Sequence, residues 1–114
     1  MPRPEADLNI SVTFRHTEST PALKAYVTDK ITQCLRKYVS HHADVRAILW
    51  VEKRDHIVEV QMHSKGYDAS AKASTDDLYS AVDKVIDALD AQLRKQKERT
   101  TQHKQSAPAP FDVG

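Results

Sequence analysis

Three consecutive runs in the middle of the chain place an apolar residue at every second position. Val45, Ala47, Leu49 and Val51 form the first, Val58, Val60 and Met62 the second, and Ala69, Ala71 and Ala73 the third. A period of two marks a strand with one face in a core and the other in water. The breaks between the runs are short: Lys53-Arg54-Asp55-His56 and Ser64-Lys65-Gly66 read as turns. Alanine is a weak strand former, so the third run rests on its period and not on propensity. Its small side chains leave room for a helix to approach the sheet closely.

A fourth strand is predicted ahead of these, where Leu8, Ile10, Val12 and Phe14 alternate with Asn9, Ser11 and Thr13. Two other segments have the helical period. Thr20-Pro21 supplies a hydroxyl N-cap and a proline at the first helical position. Leu23, Val27, Ile31, Cys34 and Tyr38 then recur three to four residues apart, predicting a helix that ends near Val39. Thr75 is predicted to cap a second helix, with Asp76 and Asp77 in its first turn and Leu78, Val82, Val85, Ile86, Leu89 and Leu93 on its apolar face. The order is β-α-β-β-β-α. Two helices packed on one face of a four-stranded sheet would satisfy every apolar stripe, giving an α+β fold. The first helix is a crossover, so strands one and two, if adjacent, should be parallel and joined right-handedly. The remaining strands can be antiparallel hairpins.

At 114 residues the chain predicts one domain. We place it at residues 8–103, between a patternless leader (1–7) and a Pro/Ala/Ser-rich tail (104–114). No apolar run approaches the roughly 18 residues that span a membrane, and MPRPEAD has no apolar signal region. The lone Cys34 sits among apolar helical neighbours and reads as a buried, reduced thiol, so a cytoplasmic protein is expected.

Net charge is only +1, but its distribution is uneven. Asp76, Asp77, Asp83, Asp87 and Asp90 face Lys84 alone within residues 76–91, after which Arg94, Lys95, Lys97, Arg99 and Lys104 face only Glu98. Bases near a helix C-terminus gain about 0.3–1 kcal/mol from the dipole, an effect confined to the last turn. Length argues for more than that. A helix from Asp76 to about Gln102 would be roughly 40 Å long at 1.5 Å per residue, against about 27 Å for an eight-residue strand. The apolar ladder stops at Leu93, so the basic segment should project past the core. Its bases fall on more than one helical face, which suits a folded polyanion surrounding the helix end.

No catalytic constellation is visible. The only glycines are Gly66 and Gly114, which excludes a Gly-rich phosphate loop, and no Ser or Cys nucleophile has a motif around it. His16, His41, His42, His56, His63 and His103 lack a metal-ligand spacing. No metal, cofactor or small-molecule substrate is therefore expected. Trp50 shares the water-facing side of its strand with Ile48; stacking on a base and packing against neighbouring strands both fit it.

The segments "ISVTFRHTESTPALKAYVTDKI", "WVEK" and "DDLYSAVDKVIDALDAQLRKQKER" resemble the ribosome hibernation-promoting factor family, which includes ribosome-associated inhibitor A. The resemblance runs from about residue 8 to 102. It is carried by Thr20-x-Ala22-Leu23, Val51-Glu52-Lys53, Asp77-Leu78-Tyr79, Ala81-Val82-Asp83 and Gln92-Leu93 followed by spaced bases. It implies the same β-α-β-β-β-α fold, similar to double-stranded-RNA-binding domains, and a non-enzymatic function. Such proteins bind the small ribosomal subunit and its rRNA between head and body, where mRNA and tRNA lie, and silence ribosomes in starvation or stationary phase. Some act with a second, ribosome-dimerising factor, and relatives have been labelled sigma-factor modulators. The implied rRNA-binding residues are Arg15, Lys24, Lys30, Arg36, Lys53, Lys95, Lys97 and Arg99, with Arg94 an added base. Gln33, Ala88 and Ala91 stand where the family often has bases, and Phe14 where a glycine is common. A free RNA-binding regulator and a protein-interaction module are the competing readings.

Overall fold

The computed structural model describes residues 7–105; the rest of the expected leader and tail, residues 1–6 and 106–114, lies outside the described part. The elements are β1 (Leu8–Arg15), α1 (Pro21–Arg36), β2 (Ala43–Glu52), β3 (Asp55–Ser64), β4 (Tyr67–Thr75) and α2 (Leu78–Gln105). They form the four-stranded sheet that the sequence predicts, and its strand order is β1-β2-β3-β4. β1 and β2 are parallel, with Leu8 opposite Ala43 and Arg15 opposite Trp50. β2–β3 and β3–β4 are antiparallel hairpins.

Both helices cover one face. Val27, Ile31 and Leu35 of α1 meet Ala47, Leu49, Val58 and Val60 of the sheet and Val82, Val85, Leu89 and Leu93 of α2 in one core, and all are essentially inaccessible to water. Burying each such side chain is worth roughly 1.5–3 kcal/mol. Ala69 is buried and Ala71 and Ala73 half-buried, so the alanine face of β4 does admit α2. Ser64, the buried polar residue at the end of β3, donates from Oγ to the His42 carbonyl (2.7 Å), which fixes the entry to β2.

Four boundaries differ from the sequence expectation: Ser64 belongs to β3, leaving only Lys65-Gly66 as the β3–β4 turn, and three others have a visible local cause. α1 ends at Arg36 and not near Val39: the Lys37 N–H bonds back to Cys34 and the Tyr38 N–H to Leu35, tightening the last turn. Val39 is nonetheless buried, which is why the apolar period overran the helix. The β2–β3 turn is only Lys53-Arg54; Asp55 and His56 belong to β3. Lys53 takes the left-handed φ of 58° that this two-residue turn requires. Finally, Thr75 does not cap α2. The Asp77 carboxylate accepts from the N–H groups of Tyr79 and Ser80 (3.1 Å each), and Thr75 Oγ1 accepts from Asp77 N (3.1 Å). Asp77 is thus the cap, its carboxyl held below its ordinary pKa chiefly by Ser80, and Asp76 stands outside the first turn.

Cross-helix contacts set the direction of the second layer. Tyr26 meets Tyr79 edge to face at 5.0 Å and donates to Asp83 (2.5 Å), while Tyr38 donates to Asp90 (2.8 Å). Advancing along α1 therefore advances along α2. The two helices are parallel, and both run from the Arg15–Lys53 end of the sheet toward the Ala43–Ser64 end.

Candidate nucleic-acid interface

The C-terminal half of α2 is held on the sheet by two glutamines one turn apart. Gln92 accepts from the Ser70 N–H (3.2 Å) and donates to the Ser70 carbonyl (2.6 Å). Gln96 does the same for Asp68 (3.2 and 2.8 Å). Each amide satisfies both backbone groups of one residue on the outer edge of β4, as a neighbouring strand would. The helix therefore stays with the sheet for a turn beyond Leu93, the last fully buried residue among those described. This sequence reading missed: Gln92 was visible as part of a motif, but a polar pair four residues apart gives no sign that it replaces a strand.

Around the same level the ends of the two helices form a charged cluster. Lys37 Nζ lies 2.6 Å from Asp90 Oδ1, which also accepts from Tyr38. The Lys37 ammonium and the nearby Arg94 hold the Asp90 carboxyl below its ordinary range, Lys37 being the main cause. Lys37 and Lys97 both approach the Tyr38 ring, at 5.6 and 5.9 Å from its centroid. Lys97 therefore does not simply project into solvent. Lys95, Glu98 and Arg99 are exposed, and α2 continues to Gln105. At 28 residues the helix is about 42 Å long, longer than any strand beneath it.

The nine bases singled out from the sequence do not gather in one patch. Arg36, Arg94, Lys95, Lys97 and Arg99 lie at the end where both helices finish. Arg15 ends β1, Lys53 makes the β2–β3 turn and Lys24 is in the first helical turns of α1, so these three lie at the opposite end, about 30 Å away along strands of eight to ten residues. Lys30 lies between, with its ammonium 5.4 Å from the Tyr26 ring centroid. Lys37 was missed, although it falls seven residues after Lys30 and hence on nearly the same helical face.

The face away from the helices has a different character. It carries Asp44, Glu52, Asp55, Glu59 and Asp68 against Arg15, Arg46 and Lys72. Trp50 there is half-buried, with Lys72 Nζ 5.5 Å from its ring centroid, and its register partner Ile57 is only 8% exposed. Packing across strands, not an open stacking platform, describes Trp50. Cys34 is buried, and burial, followed by the Asp90 charge, pushes its thiol up to about 11. It is protonated at neutral pH and unsuited to nucleophilic chemistry. Among the described residues no group of three or more His, Cys, Asp or Glu side chains is placed to hold a metal ion, and no helix is long and apolar enough to cross a membrane.

Fold and surface together define a class: a small two-layer α+β domain whose most concentrated feature is a cationic helix end. Residues 10–101 match the family model described as "Sigma 54 modulation protein / S30EA ribosomal protein". The chain belongs to this family. It is 34% identical over 96 residues to the ribosome hibernation promoting factors of Salmonella typhimurium and Escherichia coli K12, covering 84% of this chain and the whole of each relative. Identity to the factor of Azotobacter vinelandii is 32% over 98 residues, 86% of this chain and 91% of the relative. Among solved structures it is similar to a ribosomal subunit interface protein from Coxiella burnetii, with TM-score 0.70, 27% identity, and coverage of 79% of this chain and 98% of that one. The N-terminal domain of Protein Y from Thermus thermophilus gives TM-score 0.70 at 25% identity, over 76% of this chain and 97% of that domain.

Proposed function

We propose that this protein is a cytoplasmic ribosome hibernation factor. It binds the small subunit through rRNA in the decoding region and silences translation in starvation or stationary phase by occupying the path of mRNA and tRNA. The observation that carries this reading, beside the family, is the bipolar placement of charge. Cations stand at both ends of the domain, about 30 Å apart, with Lys30 between them. A domain bearing cations at both ends can bridge two separate RNA elements, such as the walls of a cleft. Phosphate contacts by Lys and Arg position a protein on RNA without base readout, as a site made of folded rRNA requires. Arg15, Lys24, Lys30, Arg36, Lys53, Arg94, Lys95, Lys97 and Arg99 are the proposed contacts, and Lys37 joins them by position. No chemical step is needed: steric exclusion suffices.

The test is equilibrium binding of labelled protein to vacant small subunits and to subunits loaded with mRNA and initiator tRNA. Mutually exclusive occupancy predicts much weaker binding to the loaded subunits, and by linkage each ligand weakens the other equally. Equal affinity for both would remove the decoding region as the site. Inhibition that depends on the message and ignores subunit loading would favour a free RNA-binding regulator.

A further inference from the structure

The two edges of the sheet are treated differently. The β4 edge is closed by Gln92 and Gln96. The β1 edge has no strand, helix amide or side chain bonded along it among the described residues. The Ala43 N–H bonds to the Asp7 carbonyl, so in β1 the odd-numbered residues turn their backbone toward β2. By alternation, Leu8, Ile10, Val12 and Phe14 turn theirs outward. The side chains of these four are the half-buried ones of the strand. None of the usual protections of an edge is present within it: no lysine, proline or bulge interrupts LNISVTF. Charge appears only at the two limits, Asp7 and Arg15.

The segment from Asp7 to Arg15 is self-complementary about Ser11. Placed antiparallel to itself with Ser11 on a two-fold axis, it sets Leu8 against Phe14, Ile10 against Val12, Asn9 against Thr13 and Asp7 against Arg15. Apolar side chains then meet on the helix side, polar ones on the open side, and opposite charges at both limits. The outward residues fall opposite one another as hydrogen-bonded pairs, which matches the direction their backbone already faces. The Asp7 carboxylate also meets His42 Nδ1 on the β2 side (3.2 Å), a contact that an opposing Arg15 would share. We propose that β1 is a self-association surface, pairing antiparallel with β1 of a second copy of this chain in this register to give a continuous eight-stranded sheet. The inference rests on the edge and its pattern and is independent of the RNA reading, although Arg15 belongs to both surfaces.

Sedimentation of the full chain over a wide concentration range should show a weak, reversible dimer. Arg15→Glu places like charges opposite each other twice per dimer and should weaken it about tenfold. Asp7→Lys with Arg15→Glu exchanges the charges and should recover most of the loss. A chain monomeric to about 1 mM overturns the proposal, as does a dimer whose strength the exchange does not rescue. Register is read separately with Ser11→Cys. The cysteines on the axis would sit at a non-hydrogen-bonded pair with Cα atoms about 4.5 Å apart, within disulfide reach. Oxidised glutathione should therefore link Ser11→Cys chains and leave Thr13→Cys chains, whose opposite neighbour is Asn9, unlinked. Faster linking of Thr13→Cys would overturn the register.

Discussion

Replacing Gln92 and Gln96 together with alanine removes four hydrogen bonds from the outer edge of β4 while leaving every buried apolar contact in place. These bonds are solvent-exposed, so water takes over the freed Ser70 and Asp68 groups and no buried polar atom is stranded. The low end of the usual range applies, about 0.5 kcal/mol per bond and about 2 kcal/mol in all. Two terms offset this: the glutamines regain rotamer freedom, and alanine is the better helix former. A net loss of about 1–2 kcal/mol remains, and a domain of this size should melt roughly 5–10 °C lower. Hydrogen exchange at single amides is the discriminating assay. The Ser70 and Asp68 N–H groups should exchange much faster in the double variant, while amides between β2 and β3 change only by the global loss. Unchanged exchange at Ser70 and Asp68 would refute the reasoning, because those amides would then owe their protection to something other than the glutamines.

Lys95→Glu with Arg99→Glu should weaken binding to small subunits without lowering the melting temperature by more than about 0.5 kcal/mol equivalent, since both side chains are exposed; pelleting and thermal melts check the two halves. Lys97 is the poorer probe, because it also contacts the Tyr38 ring. For the wild type, log affinity should fall with log salt by about 0.7–0.9 per phosphate contact at constant magnesium, and a flat response would contradict rRNA contact. The Asp90 carboxyl is held below 3.8, mainly by Lys37, so its contribution is present above that pH and lost as pH falls through its lowered folded value. Asp90→Asn should accordingly destabilise the protein at neutral pH, with the gap in melting temperature closing in strong acid. Cys34 should react very slowly with a disulfide reagent at pH 7 in the native protein and at once when unfolded.

The sheet and both helices were legible because each buries a single face, and a single buried face imposes a period. Leu8 to Phe14 and Val45 to Val51 could hardly be read otherwise. The end of α2 was legible as charge but not as geometry. Nothing in Gln92 and Gln96 announces a bond to Ser70 and Asp68, because hydrogen bonding to a backbone edge leaves no periodic trace. The α2 cap was misplaced for a related reason: Thr75 and Asp77 are both good caps, and only the direction of the chain leaving β4 decides between them. The bases of the candidate surface were identifiable one by one. Their division between two ends, and the part played by Lys37, depend on the helices being parallel, which follows from contacts such as Tyr38 with Asp90.

The parallel pairing of β1 with β2 has a kinetic consequence. Each hairpin contact closes a short loop, Glu52 meeting Asp55 and Ser64 meeting Tyr67, whereas Leu8 must find Ala43 across 35 residues and an intervening helix. Closing the longer loop costs more entropy before any contact repays it, so β1 is expected to dock last, onto a preassembled β2-β3-β4-α2 unit. Synthesis runs the other way, since β1 leaves the ribosome first and waits longest for its partner. During that interval the newborn chain holds an unpaired apolar strand, and the speed with which α1 brings it home sets its exposure to misassembly.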